Sequence, residues 1–547
     1  MRFFSKLLAV FAFSAAILPL KLDACTNFIV TKGASADGSV MVTYNADAGG
    51  FMEPLYYLPA KDHAPNTMVD IYDWDSGKFL GKIKQIPHTY QVIGNMNEWQ
   101  VAIGETTFTG REELRDTNGI IDYGSLIYLA LQRSKTAREA IQVMTDLVAE
   151  YGYYSTGESF SVADANEAWI FELIGRGPNE RGGNWVARKI PDGYICAHAN
   201  QARIREFPTN DPANCLYSKD IVEFAKKRGI YDAKKDPVFK FADVYCPIDP
   251  GSLLACEGRV WTLFRKSAPS LKLSPDYWRA VKGAESYPLW IKPDKKLTVA
   301  NAIDFMRDHF EGTEFDMTKG LAAGPFGCPY RWKPLNWKLE GDTTTQYTWE
   351  RPISTQQSAF AFCSQARASM PREVGGVFWY GVDDNYMTVY IPLYTSIATA
   401  PECFTKYSID KFSLESGFWV FNLVANLAYS KYSYAIKDIQ SVQKELEGQF
   451  FANQPAVEKT AIELLNKDRK SAIDYLTTYS VSQSESTVKR WRALWEELVM
   501  KFNDGYINDV KVEHGRHPKS SGYGDYYFKK VVEEKPEAYK SQWREKK

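Results

Sequence analysis

Cys25 lies in the stretch Ala24-Cys25-Thr26-Asn27-Phe28-Ile29-Val30, where a removable leader would end and a folded domain begin. Cleavage between Ala24 and Cys25 would leave a thiol and a free amine on one Cα. A thiol is the best side-chain nucleophile near neutral pH, with a free pKa of about 8.5, and an α-amine titrates near about 8. The amine can take the thiol proton as sulfur attacks a carbonyl, then hand it to the leaving nitrogen, which is what amide hydrolysis requires. The rival is an ordinary buried cysteine, and the surrounding sequence must decide between them.

Residues 1–24 read as a secretory signal: Arg2 and Lys6 are basic, and Leu7 to Leu20 are almost all apolar. The apolar run is short for a membrane span, and no later stretch reaches the roughly 18 charge-poor apolar residues that a span needs. The expectation is an exported protein, periplasmic or extracellular, released by signal peptidase and without stable membrane association afterwards. Leu22-Asp23-Ala24-Cys25 also loosely resembles a lipobox. Acylation there would consume both thiol and amine and turn the chain into a surface lipoprotein that binds rather than cleaves. Asp23 fits that signal poorly.

Other chemistries find less support. The 66 Lys and Arg against 67 Asp and Glu give a net charge of -1, so the basic face that nucleic acid demands is not indicated. Six histidines and eight cysteines occur without CxxC or HExxH spacing, so neither a metal site nor a cofactor is expected. Export would permit disulfides, but reserving Cys25 leaves an odd number of cysteines.

The elements that must position Cys25 follow from periodicity. Residues 25–31 and 39–44 are rich in β-formers around the turn Lys32 to Gly38, a hairpin whose first strand begins at the cysteine. A chain end tied into a sheet is held in place, as a terminal nucleophile needs. Asp122 to Tyr151 has helical spacing and Gly152 is its stop signal. Residues 161–164 and 168–173 read as a hairpin, and 185–190 and 194–198 extend the same sheet. Helices are expected at 218–228 and 299–310, a surface loop at 324–349, and strands at 357–363, 376–380 and 386–393. After Cys403 helical periodicity takes over at 418–446, 456–479 and 485–499, followed by a charged tail from Lys511.

Several ordered blocks resemble the dipeptidases of the N-terminal-nucleophile hydrolase superfamily, relatives of penicillin V acylase and bile salt hydrolase. They are Cys25 to Val30, Ala34 to Ser39 and Asn45-Ala46-Asp47, then Asp164 to Glu172 and Ala199 to Ile204. Arg259-Val260-Trp261, Gln365-Ala366-Arg367, Val377-Phe378-Trp379 and Val389 to Leu393 continue the series. The resemblance implies an α+β fold, a four-layer αββα sandwich over residues 25–403, with a helical region at 404–547 packed on it. It implies Cys25 as nucleophile, Asp47 holding the terminal amine, Asn200 donating to the oxyanion and Arg259 ordering the site. An oxyanion donor is worth about 3 kcal/mol in comparable enzymes. Many members carry arginine three residues before the aspartate, and Tyr44 stands there instead. Tyrosine cannot supply the permanent positive charge that lowers a thiol pKa, so Arg259 alone or another basic residue must do so. His198 and Glu167 sit in matching segments and read as structural.

The implied activity is hydrolysis of dipeptides or short peptides through a thioester, and the implied assembly leaves room for a homo-oligomer. An acylase acting on N-acyl amino acids, bile salts or penicillins would share the chemistry but need an apolar pocket.

Overall fold

The structure, a computed structural model, describes residues 25–48, 54–342, 344–508 and 518–543, so the expected leader lies outside the described residues. The expected hairpin forms. β1 (Thr26–Val30) and β2 (Val40–Asp47) pair antiparallel, Thr26 opposite Asn45 and Val30 opposite Met41. Every residue of both strands is buried, which explains runs such as Val40-Met41-Val42 in place of apolar–polar alternation. β2 continues to Asp47, which therefore stands on a strand.

Two large antiparallel sheets contain most of the strands. The second begins with β3 (Tyr57–Leu58), β4 (Val92–Ile93), β5 (Met96–Asn97) and β6 (Ala102–Thr109). It continues through β7 (Gly157–Ala163), β8 (Ala168–Gly175) and β9 (Gly183–Lys189). The chain then crosses to the first sheet with β10 (Ile195–His198), returns with β11 (Cys215–Tyr217), and crosses again with β12 (Trp290–Ile291). The first sheet is completed by β13 (Ser358–Ala366), β14 (Gly376–Val382) and β15 (Ile391–Tyr394). Its order is β12-β10-β1-β2-β13-β14-β15, and the second runs β11-β9-β8-β7-β6-β5-β4-β3.

The placement of β10 corrects the sequence reading, which put 194–198 beside 185–190. It pairs instead with β1, His198 opposite Asn27, because Pro191-Asp192-Gly193 turns the chain out of the second sheet. That crossing is what carries Asn200 to the cysteine end of β1.

The sheets pack through β1 and β2 against β6 and β7. The Asn27 amide reaches across and donates to the Glu105 carbonyl at 2.6 Å. A Cβ at Gly104 would come within 2.2 Å of Asn27 Oδ1, so only glycine permits this approach. β8 shows why the second sheet is covered twice. Ala168, Ile170 and Ile174 join the core between the sheets, while Trp169, Phe171 and Leu173 join a separate core with the helices. Those helices are α1 (Tyr123–Arg133), capped by Asp122, and α2 (Ala137–Tyr151), capped by Thr136. Ser134-Lys135-Thr136 thus splits the single helical stretch expected at 122–151.

The first sheet packs against α3 (Gly258–Ser267), α4 (Val299–Phe305), α5 (Gly417–Tyr429), α6 (Tyr432–Leu465) and α7 (Arg469–Phe502). α6 runs unbroken through Pro455, where the sequence reading had a gap. A proline inside a helix costs about 3 kcal/mol, which burial of Phe450, Val457 and Ala461 around it offsets. Two bidentate ion pairs hold α6 in place: Arg367, just after β13, with Glu458 at 2.6 and 2.9 Å, and Arg307, just after α4, with Glu447 at 2.5 and 3.0 Å. Trp491 of α7 shares one core with Trp379 of β14. The stretch expected as a surface loop contains a short hairpin, Asn336–Trp337 with Tyr347–Thr348, with the Trp337 and Trp349 rings 4.6 Å apart. None of the eight cysteines is in a disulfide. Among the described residues no helix is long and apolar enough to cross a membrane.

Candidate active site

Cys25 precedes β1 and is 8% exposed, its surroundings opening into a cavity of about 720 Å³. That volume lies in the usual range for small-ligand pockets. Asp47, Asn200 and Arg259 line the same cavity, so the structure brings together all the residues singled out in the sequence. Tyr44 and Glu105 line it too, and the hairpin at 336–348 contributes Asn336 and Thr348 to its wall.

Arg259 is fully buried near the start of α3, just after a π-helical turn at Leu253–Glu257, a distortion that often marks functional positions. Its guanidinium donates to the Cys25 carbonyl at 2.6 Å, Thr26 Oγ1 at 2.9 Å, the Ala199 carbonyl at 3.2 Å and Asn200 Oδ1 at 3.0 Å. One planar fork thus ties the start of β1 to the loop after β10. Burial, with Arg351 nearby, draws its pKa down to about 10, so it stays charged at neutral pH.

Asn200 adopts a left-handed backbone, φ +60°, which asparagine tolerates better than most residues. With Oδ1 facing Arg259, its Nδ2 donates to the Thr107 carbonyl at 2.7 Å, leaving one further N–H on that nitrogen. Glu172 holds the loop by accepting the Arg203 and Ile204 backbone N–H groups at 2.6 and 3.1 Å. Burial pushes its pKa up to about 7. Arg203 in turn pairs with Glu257 at 3.3 Å, next to α3. Asn200 and Arg259 therefore share one rigid frame.

Asp47 sits on the other side of Cys25. The register that pairs Thr26 with Asn45 brings residues 46 and 47 alongside the cysteine. The Asp47 carboxylate accepts from Ser358 Oγ at 2.6 Å and pairs with Arg351 at 3.2 Å. Burial pushes its pKa up while Arg351, Ser358 and Arg259 pull against it. Arg351 is the additional basic residue that Tyr44 made necessary, but it stands on the aspartate. Its sequence context, Glu350-Arg351-Pro352 in an aromatic loop, carries no signal of that role.

Tyr44 connects the sulfur to an acid that the sequence reading passed over. Its hydroxyl lies 3.3 Å from Sγ and donates to Glu105, whose Oε1 is 3.5 Å from Sγ. The groups in direct contact with the thiol are therefore a phenol and a carboxyl, where a positive charge was expected. Burial first, then Glu105 and Asp47, push the Cys25 thiol well above its ordinary range. Glu105 belongs to none of the sequence blocks singled out above. An acid inside Ala102-Ile103-Gly104-Glu105-Thr106, in a strand buried on both sides, was the available signal.

His198 is buried between Thr106 Oγ1 and Ser161 Oγ, each 2.7 Å from a ring nitrogen. Burial, then Arg203, draws its pKa down to about 3, so the ring is neutral and structural. Glu167 pairs with Lys189 and accepts from Trp169 Nε1 at 3.0 Å, also a structural role.

Comparison with known proteins places this geometry in context. Residues 52–445 match peptidase family C69, a span that includes Glu105, Asn200, Arg259 and Arg351. A probable dipeptidase of Latilactobacillus sakei is 26% identical over 435 residues, covering 76% of this chain and 82% of its own. A probable dipeptidase of Salmonella dublin is 26% identical over 405 residues, 70% of this chain and 84% of its own. Probable dipeptidase B of Streptococcus pyogenes serotype M1 is 24% identical over 498 residues, 87% and 93% of the two chains. The chain belongs to peptidase family C69 and is a cysteine-type peptidase.

Proposed function

We propose that the protein is an exported dipeptidase of the αββα N-terminal-nucleophile type, with Cys25 freed as the mature N-terminus by removal of residues 1–24. The observation that carries this reading is the thiol of Cys25 at the start of a fully buried strand, facing a cavity, with Arg259 bonded to its carbonyl. The named relatives, all probable dipeptidases, support the substrate class.

In this mechanism the α-amine of Cys25 takes the thiol proton as Sγ bonds to the carbonyl carbon of the dipeptide. The carbonyl oxygen becomes an oxyanion that the free N–H of Asn200 Nδ2 stabilises. Collapse breaks the C–N bond, and the ammonium of Cys25 returns its proton to the departing amino acid. Water, deprotonated by the same amine, then attacks the thioester, and the thiol leaves with the proton. Arg259 fixes the Cys25 backbone, Asp47 holds the amine, and Arg351 keeps Asp47 ionised. The positive amine offsets the burial and acidic neighbours that otherwise keep the thiol protonated.

The test is Cys25→Ser in the mature protein on a dipeptide panel. Turnover should fall by at least about 10³-fold with an unchanged melting temperature. An undiminished rate refutes Cys25 as nucleophile. Unprocessed precursor should also be inactive, since its Cys25 has no free amine.

A further inference from the structure

We propose that Glu105, backed by Glu158, is the binding site for the free α-ammonium of the substrate residue whose carbonyl Cys25 attacks. The inference rests on the dipeptidase reading and names the group that makes a dipeptide, rather than an acylated amino acid, the preferred substrate.

Position comes first. In a dipeptide the α-nitrogen is bonded to the carbon next to the attacked carbonyl, so its ammonium must lie within a few ångströms of the attacking sulfur. Glu105 Oε1 is 3.5 Å from Cys25 Sγ and lines the cavity that holds the thiol. Glu158 lies behind it on β7, the strand paired with β6, and does not reach the cavity wall.

Charge comes second. Glu105 and Glu158 are 2% and 1% exposed, and among the described residues neither has a lysine or arginine in ion-pair range. At the site Asp47 has Arg351 and Glu257 has Arg203, while Glu172, without an ion pair, accepts two backbone N–H groups instead. Oε2 of Glu105 and Oε2 of Glu158 have no donor from any other group, and the two side chains hydrogen-bond to one another through a shared proton. Two carboxyls in such contact share one proton, since both cannot be ionised there. Burial pushes both carboxyls up, and the neighbouring charge of Glu105 carries Glu158 well above the usual carboxylate range, so the shared proton sits on Glu158 and is donated from it. Thr107 Oγ1 supplies Glu158 with a second bond at 2.8 Å. Glu105 is left as the charged member, steadied by Tyr44 and open to the cavity without a cation. An ionised group that far from water is costly unless paired, and a substrate ammonium supplies the pair.

The arrangement also gives Tyr44 a purpose. An arginine there would neutralise Glu105 and repel the substrate ammonium, whereas a phenol orients the acid without cancelling its charge. A seated ammonium cancels the negative charge that Glu105 places on Cys25, so the thiol ionises more readily once the correct substrate is bound.

The test compares dipeptides with the matching acyl amino acids that lack only the α-amine, using the mature enzyme. Wild type should show kcat/KM about 100-fold higher for the dipeptides, and Glu105→Gln should collapse that preference toward parity. Cys25→Ala protein, which needs no change at Glu105, should bind a dipeptide at least about 10-fold more tightly than its des-amino partner by calorimetry. Iodoacetamide should alkylate Cys25 faster in Glu105→Gln than in wild type, because the charge opposing the thiolate is gone. Slower alkylation would instead make Glu105 a base for the thiol and overturn the inference. Equal use of both compound classes by wild type, or a full preference retained by Glu105→Gln, would overturn it while leaving dipeptide cleavage standing. If wild type cleaves the des-amino compounds and no dipeptide, the dipeptidase reading itself fails, and this inference with it.

Discussion

The Asp47 side and the Glu105 side of the Cys25 thiol are both buried and both acidic, yet only one is matched by cations. Asp47 is held by Ser358 and Arg351, with Arg259 beyond, and each of its neighbours has a fixed partner. Glu105 faces the same sulfur with a tyrosine beside it and, behind it, Glu158, whose pKa burial pushes well above the usual carboxylate range. Matched buried charges hold shape, because removing either partner strands the other. An unmatched charge at a cavity wall adds nothing to rigidity and is retained for what it can bind.

This contrast can be broken at several points. The largest effect should come from Arg259→Ala, which releases the Cys25 carbonyl, Thr26, Ala199 and Asn200 together. We expect a loss of at least about 3 kcal/mol in urea unfolding and near-complete loss of turnover. Lysine at 259 should not restore activity, because a single ammonium cannot span four acceptors. The two sides separate most clearly when one charge is removed from each. Arg351→Ala should cost about 3–5 kcal/mol by stranding Asp47, whereas Glu105→Gln should stay within about 1 kcal/mol of wild type or exceed it. Equal losses in the two would erase the distinction between a structural and a ligand-facing acid.

A smaller effect concerns pH. Burial, then Arg203, draws the His198 pKa down to about 3 in the fold, against an ordinary value of about 6.5. Its depressed pKa means that unfolding takes up a proton below the ordinary value, so its contribution is intact above pH 6.5 and lost as pH falls toward 3. Between pH 7 and pH 5 the wild type should lose about 2 kcal/mol that His198→Gln does not lose. Parallel pH profiles for the two proteins would show that the ring titrates normally.

Legibility in the sequence followed chemistry that is local along the chain. The hairpin carrying Cys25 was visible because β-formers flank a Gly-rich turn, and the helical blocks because their apolar residues recur at helical spacing. Asp47, Asn200 and Arg259 are singled out only through ordered blocks that resemble a family, since nothing in a lone aspartate or asparagine announces a site. What escaped notice depends on which sheet a strand joins. β10 leaves the second sheet for the first, and no pattern within Ile195–His198 distinguishes the two choices. Glu105 acquires meaning only because Asn27 and Gly104 bring β6 against β1. Arg351 comes from a loop more than 300 residues away from Asp47 in sequence. The gap read between residues 446 and 456 failed because burial around Pro455 overrides the proline's local preference.

Intact-mass analysis of mature protein, acid-quenched during turnover of a dipeptide, tests the central claim most directly. The account predicts a chain beginning at an unmodified Cys25, with a fraction heavier by one aminoacyl group mapped to that cysteine. A diacylglyceryl mass on Cys25, or an aminoacyl adduct on any other residue, would contradict it.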